Sequence, residues 1–203
     1  MRVYLAGPDV FLPDPVARGA VLKQICASFG LRGVFPLDDL DGGDPPELAA
    51  LDLAFRIARR NELHIVACDA LIANLTPFRG PSADVGTVYE LGFMRALGRP
   101  VFGWSNATTK FAARTRAFIG SDGATDEAGM LVEDFGIADN LMIEGGIAAS
   151  GGGFFAADIS PASVWQDLAA FECAVAAAAA RLLVQSPRHA LESCFHDHLY
   201  PIE

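Results

Sequence analysis

Basic residues are scarce in this chain of 203 residues: 15 Lys and Arg stand against 25 Asp and Glu, a formal charge of −10. The cationic face that would hold duplex DNA or an anionic membrane is missing, so neither is expected as a partner. Long apolar runs are missing too, none approaching the roughly 18 to 20 residues of a membrane span. Met1-Arg-Val-Tyr-Leu leads into a strand-like segment without a signal peptide's charged start and apolar middle, and a cytoplasmic location is expected. The four cysteines, Cys26, Cys68, Cys173 and Cys194, form no CxxC; they match neither a zinc pattern nor a disulfide framework and read as reduced and structural. Neither GxGxxG nor GxxxxGK[ST] occurs, which removes the usual grounds for NAD or ATP. No cofactor is expected.

What remains alternates. The short apolar run Val3 to Ala6 ends at Gly7-Pro8, and Ala17 to Phe29 then places Val21, Leu22, Ile25, Cys26 and Phe29 at helical spacing before Gly30. Leu31 to Leu37 reads as a second strand, Asp38 to Pro46 as a loop and Glu47 to Ala67 as a long helix. Ala70 to Leu75 is a continuously apolar strand of the buried parallel type, Asp84 to Leu97 a helix closed by Gly98, and Pro100 to Trp104 a fourth strand. Ser105 to Gly129 reads as a long surface loop with some helix, Leu141 to Ile147 as a last strand beginning near Asn140, Gly151 to Gly153 as a turn, and Ala162 to Val184 as an Ala-rich closing helix. This alternation predicts one α/β domain over residues 1–184, a mainly parallel five-stranded sheet with helices on both faces, and a C-terminal tail over 185–203. His189, Cys194, His196 and His198 in that tail match no standard metal site.

Ligands of open parallel sheets bind beyond the carboxyl ends of the strands, which directs attention to the turns after each strand. The richest stretch is Ser82-Ala-Asp84-Val-Gly86-Thr87-Val-Tyr89-Glu90-Leu-Gly92, with two carboxylates at the start of a helix. Helical side chains lean toward the N-terminus, so the Glu90 carboxylate lies over Thr87 and Gly86, where glycine leaves room for a ligand. The helix N-terminal field favours an ionised carboxylate, which suits a nucleophile. From spacing alone, Asp84 or Ser82 serves equally well as a helix cap and Glu90 as a solvated residue. Tyr4 in its apolar strand, Asn61 on the helix before strand three, Arg79 in its turn and Phe11 after the first turn each have a plain structural role as the commoner case.

Taken together, Tyr4-Leu-Ala-Gly7-Pro8-Asp-Val-Phe11, Asp69-Ala-Leu-Ile-Ala-Asn-Leu-Thr-Pro77-Phe-Arg-Gly80, Asp84-Val-Gly-Thr-Val-Tyr-Glu90-Leu-Gly92 and Asn140-Leu-Met142 resemble the nucleoside 2-deoxyribosyltransferases, nearest the trypanosomatid-like branch. The resemblance runs in order from Met1 to about Leu183 and implies a flavodoxin-like doubly wound fold in a homo-oligomer. It implies that Glu90 attacks C1′ of a 2′-deoxynucleoside and holds the sugar as an ester until a free nucleobase takes it, with water as competing acceptor. Tyr4 matches the tyrosine that orients this glutamate, Asp84 the aspartate near the sugar, and Asn61 an Asp or Asn beside the base. Gly7, Phe11, Asp38, Arg79 and Gly86 fall among the expected substrate contacts. Asn140 and Met142 match an element that a neighbouring subunit lends to the 5′-hydroxyl end, so that at least a dimer is implied. The group that protonates the departing base stays open between Glu90, water and Asp84. Leu40 offers no hydrogen bond where some relatives carry a Gln, and Gly145 to Pro161 is longer and richer in glycine than the family pattern.

Two other functions compete. A hydrolase of the same superfamily cleaves nucleoside 5′-monophosphates with the same glutamate, but commonly has Ser at the Asp84 position; an aspartate there would repel a phosphate dianion. A non-catalytic nucleotide sensor on the same fold is the other, disfavoured by the set of Tyr4, Asp84 and Glu90.

Overall fold

The computed structural model describes residues 1–183; the tail with its three histidines and Cys194 lies outside the described residues. Five strands, β1 (Arg2–Ala6), β2 (Arg32–Val34), β3 (Ala70–Asn74), β4 (Val101–Ser105) and β5 (Phe154–Ala156), form one sheet in the order β2-β1-β3-β4-β5. Every pairing is parallel, with Tyr4 of β1 between Val34 of β2 and Leu71 of β3. This is the flavodoxin-like doubly wound order, whose switch point lies between β1 and β3. The helices are α1 (Pro15–Ser28), α2 (Leu53–Val66), α3 (Val85–Ala96), α4 (Phe111–Ile119), α5 (Leu141–Ala149) and α6 (Ala169–Leu183). Among the described residues, no helix is long and apolar enough to cross a membrane.

Strand alternation sorts the core into two layers. Val3, Leu5, Ala70 and Ile72 face α1 and α6 and pack with Leu22, Cys26, Phe171 and Val175. Tyr4, Ala6, Leu71 and Ala73 face the other way, with Ile65 of α2, Leu91 and Met94 of α3, and Ile143 and Ile147 of α5. Both faces of the central strands are covered, as their unbroken apolar sequences require.

Three expectations need correction. Leu141 to Ile147 is helix α5, and the fifth strand is instead Phe154–Ala156. The side chain of Asn140 accepts a hydrogen bond from Met142 N at 3.0 Å, capping α5, and Ile143 and Ile147 share one buried face. Gly145 and Gly146 hide the helical signal locally, and packing on α3 restores it. The predicted helix over 47–67 is a 3-10 turn, Pro46–Ala50, followed by α2, because Leu51 and Asp52 take extended backbone between them. The closing helix starts at Ala169, not 162. The Asn106 amide donates to the carbonyls of Val164 (2.8 Å) and Asp167 (2.9 Å), holding that stretch in turns.

The seam between β4 and β5 depends on close-packed glycines, Gly103 and above all Gly152. A Cβ on Gly152 would lie 1.7 Å from the Val101 carbonyl oxygen, whereas one on Gly145, exposed on α5, would meet nothing within 4 Å. Thermal unfolding of Gly152→Ala should show a loss of roughly 2–4 kcal/mol. Gly145→Ala should gain roughly 0.5–1 kcal/mol from helix propensity.

Candidate active site

Where the sheet order reverses, a cleft of about 230 Å³ opens beyond the ends of β1 and β2. The turn after β1 contributes Gly7, Val10 and Phe11, and the turn after β2 contributes Pro36 and Leu37. Ile57 and Asn61 enter from α2, and Asp84, Gly86, Thr87 and Glu90 from the first two turns of α3. The volume lies below the roughly 300–1,000 Å³ usual for small-molecule sites, and the walls are mostly apolar with a few convergent polar groups.

At its floor lies Glu90, 9 % exposed. The Tyr4 hydroxyl donates to its Oε1 at 2.7 Å, and the Asn61 amide donates to the same oxygen at 3.3 Å. Both bonds land on Oε1, so Oε2 is the oxygen left for a reacting atom. Burial pushes the Glu90 carboxyl up to about 7; the Tyr4 hydrogen bond pulls it down, the Asp84 charge raises it and the Asn61 bond lowers it. The ionisation expected from the helix field is outweighed, because Glu90 lies in the second turn, where that field has faded, and desolvation acts in full. Tyr4 is fully buried, and its hydroxyl is held well above the usual phenol range by that burial and by the Glu90 charge, so it remains a donor. Behind it, His64 stacks on its ring at 6.5 Å and places Nε2 3.0 Å from the Asp38 carbonyl oxygen. Burial holds the imidazole below its usual range.

Asp84 caps α3: its Oδ2 accepts from Thr87 N at 2.9 Å and Thr87 Oγ1 at 3.0 Å. Asn61 Oδ1 is buried without a hydrogen-bond partner among the described residues, an acceptor available to a ligand N–H or O–H. Gly7 has φ +156°, and a Cβ there would lie 2.7 Å from Asn74 Cβ and 2.8 Å from Asp9 Oδ2, so only glycine fits. On the rim, Phe11 stacks on Phe78 at 5.4 Å, and the Arg79 guanidinium sits 5.2 Å and 4.6 Å from the two ring centres.

Of the residues singled out from sequence, Tyr4, Gly7, Phe11, Asn61, Asp84, Gly86 and Glu90 come together around this cleft, and Arg79 reaches it through Phe11. Asp38 does not line it. Its carboxylate accepts from Lys23 Nζ at 2.5 Å and from Phe35 N at 2.9 Å, closing the turn after β2. Asn140 and Met142 stand at the start of α5, outside the cleft of their own chain. Asn140 Nδ2 donates to Glu133 at 2.7 Å, and the Met142 side chain is exposed. Sequence reasoning missed Thr87 as the partner of Asp84, and the trio of Asp9, Asn74 and Arg18 beneath Gly7. Asp9 accepts from Arg18 Nε at 2.7 Å and from Asn74 Nδ2 at 2.8 Å. One signal was available, an Asn ending a strand otherwise entirely apolar. Among the described residues, no three His, Cys, Asp or Glu side chains gather as metal ligands would.

A carboxyl with a folded pKa of about 7 and an ordinary value of 4.5 opposes folding once ionised. The folded state holds more protons, so stability falls as pH rises through this window, and the penalty is complete above 7. Glu90→Gln should therefore stabilise the protein by about 3 kcal/mol at pH 8 and by only about 1 kcal/mol at pH 5, measured by denaturant titration at both pH values.

Three comparisons bear on this site. A solved 2-deoxyribosyltransferase from Leishmania mexicana is similar at 33 % identity and TM-score 0.53, covering 70 % of this chain and 84 % of that one. An uncharacterised protein of Schizosaccharomyces pombe is 34 % identical over 174 residues, 78 % of this chain and 82 % of its own length. A conserved protein from Enterococcus faecalis, 20 % identical with TM-score 0.50 over 77 % of this chain and 91 % of that one, shares the fold. The family model for nucleoside 2-deoxyribosyltransferase matches residues 3–142, which span Tyr4, Asn61, Asp84 and Glu90. With the cleft, the paired Tyr4 and Glu90 and this match over most of its length, the chain belongs to the nucleoside 2-deoxyribosyltransferase family, a family of glycosyl-transferring enzymes.

Proposed function

We infer that the protein transfers the 2-deoxyribosyl group between nucleobases of 2′-deoxynucleosides, with hydrolysis of the nucleoside as a side reaction. The observation that carries this reading is the buried Glu90 carboxyl, open to the cleft and gripped through one oxygen by Tyr4. Glu90 Oε2 attacks C1′, the bond from C1′ to the base nitrogen breaks with its electron pair on the base, and the base takes up a proton. A second base then attacks C1′, releases the carboxylate and loses its proton. Two inversions at one carbon retain configuration.

The transition state is cation-like and has no 2′-hydroxyl to help it, so a carboxylate fixed beneath C1′ in a site of low dielectric stabilises it directly. Apolar Val10, Leu37, Ile57 and Phe11 suit an uncharged planar base, and the unpartnered Asn61 Oδ1 suits a base N–H. Asp84 on the cleft wall suits a sugar hydroxyl and disfavours a 5′-phosphate. Ser82, two residues before the position where the monophosphate hydrolases carry their serine, has its hydroxyl engaged by Asp139 at 2.5 Å. Leu53, Phe55, Val85, Tyr89 and Met142 are exposed. This exposed apolar surface supports a second copy of the chain lending Asn140 and Met142 to the sugar end.

Incubating deoxyinosine with and without adenine tests the reading: deoxyadenosine should form only when adenine is present. Hypoxanthine released equally with and without acceptor, and no deoxyadenosine formed, would instead mean a hydrolase, and no turnover of any nucleoside or nucleotide would overturn both. Glu90→Ala should abolish exchange in a folded protein. The kcat/KM profile should fall about tenfold per pH unit below about 7, because only ionised Glu90 attacks. Tyr4→Phe removes a bond that lowers the Glu90 pKa, so this acid limb should move to higher pH, with kcat down roughly 10- to 100-fold.

A further inference from the structure

Immediately before Asp84, three consecutive residues are each bonded to a buried charged group that never reaches the cleft. The Asp139 carboxylate, 1 % exposed, accepts from Ser82 Oγ at 2.5 Å and Asn140 N at 2.8 Å through Oδ1. Through Oδ2 it accepts from Ala83 N at 3.1 Å and Arg114 Nη2 at 3.2 Å. Arg114 Nε donates to Pro81 O at 2.7 Å, and its Nη1 donates to Thr109 O. Buried Glu144 accepts from Ala138 N and, at 3.1 Å, from Asp139 N, so the backbone that carries the carboxylate is itself pinned.

Burying an ion pair of this kind is a weak route to stability, since desolvation cancels much of the attraction. Its geometry is specific nevertheless. The loop over 76–83 is anchored at its start by buried Thr76, whose hydroxyl accepts from Asn106 N at 3.1 Å, and by Phe78 on Phe11; at its tip Arg79 takes φ 55°, unusual for a side-chain-bearing residue, and Phe78 N donates to Ser82 O at 3.0 Å to close the turn. Asp84 must then leave this loop with φ −58° and ψ 132° for its carboxylate to reach Thr87 and face Glu90. The groups that fix this exit are the Ser82 hydroxyl and the Ala83 N–H, and both end on Asp139. The same carboxylate holds the N–H of Asn140, so one residue is bonded both to the segment leading into Asp84 and to the start of α5.

We propose that Asp139 is a positioning residue for Asp84, holding it over the cleft through Ser82 and Ala83, and that it thereby sets the binding of the deoxyribose end of the substrate. This rests on the transferase reading for its substrate, but the placement of Asp84 can be read without turnover. The groups facing Glu90 are Tyr4 from β1, Asn61 from α2 and Asp84 from its own helix. Of these, only Asp84 is linked to Asp139, through its neighbours Ser82 and Ala83, and its negative charge opposes ionisation of Glu90. If the loop loosens, Asp84 moves off and Glu90 titrates at lower pH.

The test uses Ser82→Ala and Asp139→Asn in the full chain. Ser82→Ala removes one bond and leaves the pair of Arg114 and Asp139 intact; Asp139→Asn puts an amide where Oδ2 faces two donors. The Glu90 carboxyl is followed by carbon-13 NMR against pH, its signal assigned by its loss in Glu90→Gln, alongside KM and kcat for deoxyinosine. The expected result is a Glu90 midpoint lowered by roughly 0.3 to 1 pH unit. KM should rise about 3- to 10-fold in Ser82→Ala and about 10- to 100-fold in Asp139→Asn, with smaller losses in kcat. A purely structural Asp139 would lower the melting temperature and leave both midpoint and KM at wild-type values; that outcome in folded Ser82→Ala overturns the proposal even if Asp139→Asn does not fold. Absence of turnover in the wild type would overturn the transferase reading alone, since the NMR midpoint still reports on Asp84.

Discussion

The hydrogen bond from Tyr4 to Glu90 ties the central sheet to the helix that carries the site. One partner is fully buried in the second strand of the sheet, the other is on the helix that follows β3, and neither position is favourable alone. A phenol in an apolar layer needs an acceptor, and a carboxyl in a cleft floor needs a donor to ionise near neutrality. Each supplies the other, at 2.7 Å. Because the donor is too weakly acidic to give up its proton, the bond steadies the charged form of Glu90 without competing for its charge.

Much of the surrounding architecture can be understood as holding that pair in place and keeping space above it. Parallel order brings β1 beside β3, so that α3 begins next to the end of β1. Gly7 and Gly86 line the cleft with backbone; a Cβ on Gly86 would press on the Asp84 carboxylate, and Gly7 has no alternative because Asn74 and Asp9 crowd it from beneath. The buried polar groups, Asp9 with Arg18 and Asn74, and Asp139 with Arg114, lie beneath the rim rather than in the cleft. Hydrogen bonds among buried charges make these turns rigid and restrict the conformations open to the segments that carry the site; in the first group Arg18 Nη2 is left without a partner among the described residues.

Long, strongly patterned elements were legible from sequence. The apolar run at 70–75, the helix after Asp84 and the strand at 100–104 agree with β3, α3 and β4 to within one or two residues at each end. Errors fell where local preference is weak and packing decides: in α5, whose two glycines mask a helix that leans on α3, and in the turns before α6, which are held by a side chain 58 residues away in the chain. Asp38 illustrates the same limit within the site. Its place after a strand pointed toward the cleft, but Lys23 and the Phe35 N–H claim its carboxylate.

Period, turn chemistry and charge balance can be read along the chain, and they were enough to establish a parallel α/β sheet, a carboxylate-bearing helix at its mouth and a net negative charge. The resemblance of the segments around Gly7 and Glu90 to a known family rested on sequence as well. The ionisation of Glu90 had to wait for tertiary structure, because burial depends on residues far apart: Tyr4 stands 86 residues from Glu90 and Asn61 stands 29 from it. The helix field argued for a carboxylate always charged. Removal of water by the packed strand and helices outweighs that field, and leaves a group poised between its two forms at neutral pH.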